Sequence, residues 1–179
     1  PKNGRAYLGK LLAELKVANI EQLQGISYRE YEHKASYEKA IRFDAGIAKQ
    51  FAELREKALS AQYDRAAGRQ ETATSPDDYE GAAAMFAALG DYRDAPARSK
   101  NCTEQAHAKE CDATYGKAQD LMKRAKRASA YLSAAQMFSR IRDWRDAKEL
   151  EERCRKSAAK CQRKKNWLIL IVVVASSLL

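Results

Sequence analysis

Apolar positions recur along this chain at steps of three and four, the spacing that lines one face of a helix, and almost never in the strict alternation of a strand. Tyr7, Leu8, Leu11, Leu12 and Leu15 make such a stripe, predicting a helix over residues 6–17. Asn19 then offers a cap for a short turn that Gly25 closes, while residues 27–34 hold Tyr28 and Tyr31 but no period and read as a loop or frayed helix. A long helix is expected over 36–70, carrying Ile41, Ile47, Phe51, Leu54, Ala58 and Tyr63. The run ETATSP at 71–76 breaks it. Ser75 suits an N-cap, Pro76 the first helical position, and Asp77 and Asp78 the positive end of the next helix dipole.

A short helix is predicted over 77–89, presenting Tyr79, Ala82, Ala83 and Phe86, with Gly90 as its stop. A longer one is expected to start at Asp91 and reach residue 124, Pro96 being tolerable in its first turns. After the connector KRAKR at 123–127 the pattern returns: a short helix to Ile141, then a long one from Asp143 onward into the apolar tail.

That return is literal. Residues 79–102, YEGAAAMFAALGDYRDAPARSKNC, align without a gap with 131–154, YLSAAQMFSRIRDWRDAKELEERC, and the same offset of 52 residues pairs Tyr63 with Tyr115, Ala66 with Ala118 and Ala106 with Ala158. The expected division is an N-terminal helical segment at 1–62, where the opening SYEKAIRF at 36–43 suggests a degenerate earlier unit, then repeats at 63–114 and 115–166, then the start of a membrane helix at 167–179.

Composition narrows the class to all-α. Only three prolines and eight glycines interrupt 179 residues dominated by strong helix formers. The net charge of +9 is unevenly spread: residues 117–165 hold 16 Lys or Arg against 6 Asp or Glu, leaving the rest near neutrality at −1. Such a gradient suits an anionic lipid surface at least as well as nucleic acid, since no stacking aromatic platform is interleaved with the cations. A nucleic-acid partner is not expected.

The basic half runs into Trp167 and LILIVVV. The apolar run 167–179 has 13 residues where a bilayer core needs about 20, so it reads as the beginning of a transmembrane helix that continues past Leu179. Lys160, Arg163, Lys164 and Lys165, followed by Trp167, form the expected membrane-interface set, and by the positive-inside rule the repeats face the cytoplasm of a single-pass cell-membrane protein. The opening at Pro1, without an initiator Met, raises the expectation of an upstream segment.

Two carboxylate pairs, Asp91 with Asp94 and Asp143 with Asp146, have the i, i+3 spacing of an acid/base couple, but also that of a capping box. One occurrence per repeat favours the helix-start role. Cys102, Cys111, Cys154 and Cys161 lack the two-residue knuckle of a zinc site, and Cys154 and Cys161 continue the stripe Ala147, Leu150, Ala158; all four read as small core residues in a reducing compartment. Lys123, Arg124, Lys126 and Arg127 are candidates for gripping phosphate, or a solvated connector. There is no Gly-rich phosphate loop, no nucleophile motif and only two histidines, so neither enzymatic activity nor a cofactor or metal is expected.

Tyr-x-x-Ala-x-x-x-Phe followed by Asp-[Tyr/Trp]-Arg-Asp-Ala resembles tetratricopeptide-like repeats, in which small residues and one aromatic lock a helical hairpin against its neighbours. More closely, Phe86, Leu89, Gly90, Asp91, Tyr92, Asp94 and Ala95 look like the Phe-x-x-Leu-Gly-Asp-Tyr-x-Asp-Ala repeats of bacterial single-span membrane proteins. The second copy departs from that pattern at Ile141, Arg142 and Trp144, and the paired Cys-x-x-Cys motifs that often precede such repeats are missing. The resemblance implies tetratricopeptide-like hairpins ahead of a membrane helix, and a scaffold that binds a protein or peptide between stacked helices. Alternative expectations are a basic regulatory module for anionic lipid or nucleic acid, and a spacer for a further domain.

Overall fold

In a computed structural model the backbone is described for residues 3–176 and the side chains for 3–168. The described residues form seven α-helices and two short 3-10 turns, with no strand. The all-α class is therefore established. The chain divides into two compact units, one formed by 1–73 with 78–102, the other by 103–179 with 74–77.

In the first unit α1, Gly4–Glu14, is capped by the Asn3 side chain and stops earlier than its apolar stripe suggests. Lys16 enters the left-handed region at φ 55°, and the amides of Lys16 and Val17 turn back to the carbonyls of Ala13 and Leu12. This is a Schellman closure with lysine where glycine is usual. Asn19 caps the first 3-10 turn, Glu21–Gly25, through the amide of Gln22, and the Gln22 side chain reaches back to the amide of Ala18. Residues 27–34 do more than connect: beyond the 3-10 turn Tyr28–Glu30, Tyr31 enters the core.

The long helix expected over 36–70 is two helices. Asp44 leaves the helical region at φ −146°, and its carboxylate accepts from the amides of Gly46 and Ile47, so α2, Ala35–Phe43, ends and α3, Ala45–Glu71, begins at a new N-cap. The break lets α2 fold back on α1. At their closest point Gly4 lies so near Asp44 that an added Cβ would sit 2.4 Å from the Asp44 Cβ. Leu11, Leu23, Tyr31, Ala40, Ile47 and Phe51 form the core beneath.

The same unit takes in α4, Pro76–Ala87, from Asp78 onward and the first turns of α5, Ala95–Arg124. Leu59, Ala66, Ala82, Ala83, Phe86, Leu89, Ala95 and Cys102 make its second core. Fully burying Phe86 contributes about 1.5–3 kcal/mol, and the alanines beside it allow the helices to approach. Gly90 turns the chain at φ +61°.

The second unit contains the rest of α5, then α6, Ala128–Arg140, and α7, Ala147–Ser176. Its core is Tyr115, Ala118, Ala134, Ala135, Phe138, Ala147, Leu150 and Cys154. Subtracting 52 converts seven of these eight into members of the first unit's core or its Tyr63 flank. The 52-residue period is thus a period of burial as well as of letters. Arg142, at the place of Gly90, adopts no positive φ; α6 runs on to Arg140, and the Arg142 guanidinium lies 4.0 Å from the buried Glu151.

Candidate docking groove and basic face

Both long helices start later than the sequence suggests, at Ala95 and Ala147 rather than at Asp91 and Asp143. The capping-box reading of the aspartate pairs is therefore corrected. Asp94 and Asp146 precede the first helical residue, and their carbonyls accept from the amides of Arg98 and Leu150. Their carboxylates are taken by tyrosines of the preceding long helix: Tyr63 donates to Asp94 and Tyr115 to Asp146. Arg98 adds a second bond to Asp94 at 3.1 Å. The Tyr63 phenol, then the Arg98 guanidinium, holds the Asp94 carboxyl below the usual carboxylate range, while the bonded carboxylates push both phenols up.

Between the aspartates of each pair stands an arginine in the left-handed region, Arg93 at φ 50° and Arg145 at φ 52°. Each guanidinium lies against the preceding long helix. Arg93 sits 5.3 Å from the Tyr63 ring and 3.4 Å from Glu56; Arg145 sits 5.3 Å from the Tyr115 ring and 2.8 Å from Asp112. The neighbouring aromatic uses the same acid. Tyr92 donates to Glu56 at 2.6 Å, and the Trp144 indole donates to Asp112 at 2.9 Å. Tyr92 and Trp144 are thus interchangeable because each brings a ring and a donor.

The joint of the first unit borders a groove of about 600 Å³. Tyr37, Phe51 and Leu59 line it together with Tyr28 and Tyr92, while Arg29 and Arg55 on one hand and Glu56 and Asp91 on the other bring charge to it. Tyr37 meets Phe51 edge-on at 4.9 Å, and burial pushes its phenol up, so it presents a neutral hydroxyl. Arg55 stacks 4.9 Å from the Tyr28 ring, and Arg29 donates to the carbonyl of Ala88 near the end of α4. Among the described residues neither arginine has a carboxylate partner, whereas Glu56 is engaged by Tyr92 and Arg93. The groove therefore offers apolar contact beside two arginines that form no ion pair among the described residues, with the carboxylates of Glu56 and Asp91 also in its lining.

Sequence reasoning passed over these residues because Tyr28 and Arg29 lie in a tract without period, and Arg55 sits on a face of α3 that looks merely solvated. The one available signal was the aromatic pair Tyr28 and Tyr31 in an otherwise polar stretch.

Lys160, Arg163, Lys164, Lys165 and Trp167 all lie exposed on α7, which runs unbroken through the basic turns into the apolar stretch. Among the described residues no helix is long and apolar enough to cross a membrane. Residues 177–179 of the expected membrane segment lie outside the described residues.

Of the cysteines, Cys102, Cys111 and Cys154 are buried, and burial pushes their thiols up. Cys161, placed in the core by its spacing, is only half-buried, because the Ala147, Leu150, Cys154, Ala158 stripe leaves the hairpin one turn earlier. Cys111 lies 3.7 Å from His107 Nε2, a two-residue contact; among the described residues no group of three or more potential metal ligands occurs.

No family model matches this chain, and neither a curated protein nor a solved structure matches it.

Proposed function

We propose that the chain is a membrane-tethered helical scaffold, with tetratricopeptide-like hairpins on the cytoplasmic side, whose first unit docks a peptide segment of a partner protein. The observation that carries this reading is the groove with Tyr37 and Phe51 in its lining and with Arg29 and Arg55 at the Tyr28 side, neither in an ion pair among the described residues, while of the lining carboxylates Glu56 is already engaged by Tyr92 and Arg93. Its complement is a segment that places an acidic side chain beside an aromatic or aliphatic one. The tether is the apolar end of α7, with Trp167 and the cations before it at the headgroup level. Exposure supports that placement, Trp167 being 63% and Leu168 49% accessible.

An array of short synthetic peptides tests the docking half. The full chain is expected to prefer acid-flanked aromatic or aliphatic peptides, and an Arg29→Glu, Arg55→Glu variant to reverse that preference towards basic ones. An unselective array, or an unchanged preference in the variant, refutes the groove. Flotation with neutral phosphatidylcholine vesicles tests the tether, which Val173→Arg should abolish.

A further inference from the structure

A second cavity, of about 570 Å³, lies within the second unit, between the amino end of α6 and the basic turns of α7. Lys126, Arg127 and Ser129 line one side, and Cys161, Gln162 and Lys165 the other. The two strands of chain that meet here are more than thirty residues apart, so the convergence is a product of the hairpin and not of a local run of cations. No acidic side chain lines the cleft, and among the described residues none of its three cations forms an ion pair. The uncharged members add to the same preference: the Ser129 hydroxyl and the Gln162 amide are both able to donate. Arg127, at the N-cap of α6, supplies no side-chain acceptor to the helix, so its first amides lack one where Ala128 and Ser129 line the cleft.

Three cations and no carboxylate in one lining favour a compact anion with several acceptor oxygens. We propose that this cleft is a phosphate-ester site in which Lys126, Arg127 and Lys165 grip one phosphate group. The site adds to the membrane reading above without resting on it, because a soluble phosphate addresses the same groups. Lys165 stands two residues before Trp167, which places an anionic phospholipid headgroup among the sources within reach, beside free phosphate compounds.

Cys161 makes the cleft observable, since it is half-exposed and lies in the lining. The full chain in neutral detergent is labelled with an uncharged maleimide, with and without inorganic phosphate, and then on phosphatidylcholine vesicles with and without phosphatidic acid. Occupancy is expected to slow labelling of Cys161 about tenfold at a saturating probe. Replacing Lys126, Arg127 and Lys165 by Gln should abolish the protection, while the same change at Lys109, Lys117 and Lys148, equal in charge but outside both the cleft lining and the membrane-proximal turns, should preserve it. Protection by phosphatidic acid alone assigns the site to a lipid headgroup; protection by inorganic phosphate assigns it to a soluble ester. The proposal is overturned if no probe protects, if plain phosphatidylcholine protects as well as the doped vesicles, or if both triple variants lose protection equally. Flotation on neutral vesicles reports the anchor separately, so failure of the tether and failure of the phosphate site give different results.

Discussion

Tyr115 donates its phenol to the carboxylate of Asp146, 31 residues further along the chain, and Tyr63 donates to Asp94 across the same interval. Each bond ties one long helix to the start of the next. The bond also couples the joint to pH. Asp94, held below its ordinary value of about 4, contributes stability that is present above that value and lost as pH falls through the lower folded one. The phenols, raised above about 10, contribute stability that is complete below that value and lost as pH rises through the folded ones. Urea midpoints are therefore expected to be level near neutrality and to decline at both extremes. Replacing Tyr63 and Tyr115 by Phe should flatten part of the alkaline decline; an unchanged alkaline limb refutes the coupling.

Phe86 and Phe138 occupy corresponding places at complete burial. Truncating either to Ala is expected to cost about 3–5 kcal/mol, by lost burial and a residual cavity. Equilibrium urea unfolding measures it, and a loss below about 1 kcal/mol at either position contradicts its role as the centre of a core.

The fold-back at Asp44 predicts a contrast between two glycines of one helix. Gly4→Ala drives a methyl into Asp44 and the carbonyl of Ala40 and should destabilise by about 1–3 kcal/mol. Gly9, with nothing within 4 Å of an added methyl, should tolerate Ala and gain about 0.5–1 kcal/mol from helix propensity. Thermal unfolding of the two variants decides it; shifts of the same sign refute the close approach.

Thiol chemistry should separate the cysteines. Native protein treated with excess maleimide is expected to label at Cys161 first, with Cys102, Cys111 and Cys154 reacting only as urea opens the cores. Rapid native labelling of Cys102 or Cys154, read by peptide mass, contradicts their burial.

The hairpin cores were legible in the letters because Tyr, Ala and Phe recur at helical steps and again 52 residues later, which locates burial without any knowledge of the turn between helices. The break at Asp44 was not, since one aspartate in a helical pattern is more often solvated than folded back on its own backbone. Nor was the bend at Arg93 and Arg145: arginine carries no preference for the left-handed region, and its partners there, Glu56 with the Tyr63 ring and Asp112 with the Tyr115 ring, lie on the preceding long helix, thirty or more residues back. The groove and the basic cleft were illegible for another reason. Tyr28 meets Arg55, and Arg127 and Lys165 come to line one cleft, only after helices have turned back, and a period read along the chain carries no information about such meetings.

The continuity of α7 sets a rotational phase. Ala158 is its last buried residue among those whose side chains are described, and the helix extends 18 residues beyond it, on the order of 27 Å. As far as Leu168 the azimuth of the side chains is fixed by the packing of Ala147, Leu150 and Cys154. One residue inserted between Ala158 and Cys161 would swing everything downstream by about 100°, carrying Lys165 away from Arg127, while an insertion of seven, close to two full turns, would return it to nearly the same azimuth about 10 Å further out. The α6–α7 hairpin thus acts as a clamp on a shaft, and which way the basic turns face is decided by residues about three to five turns before Lys165.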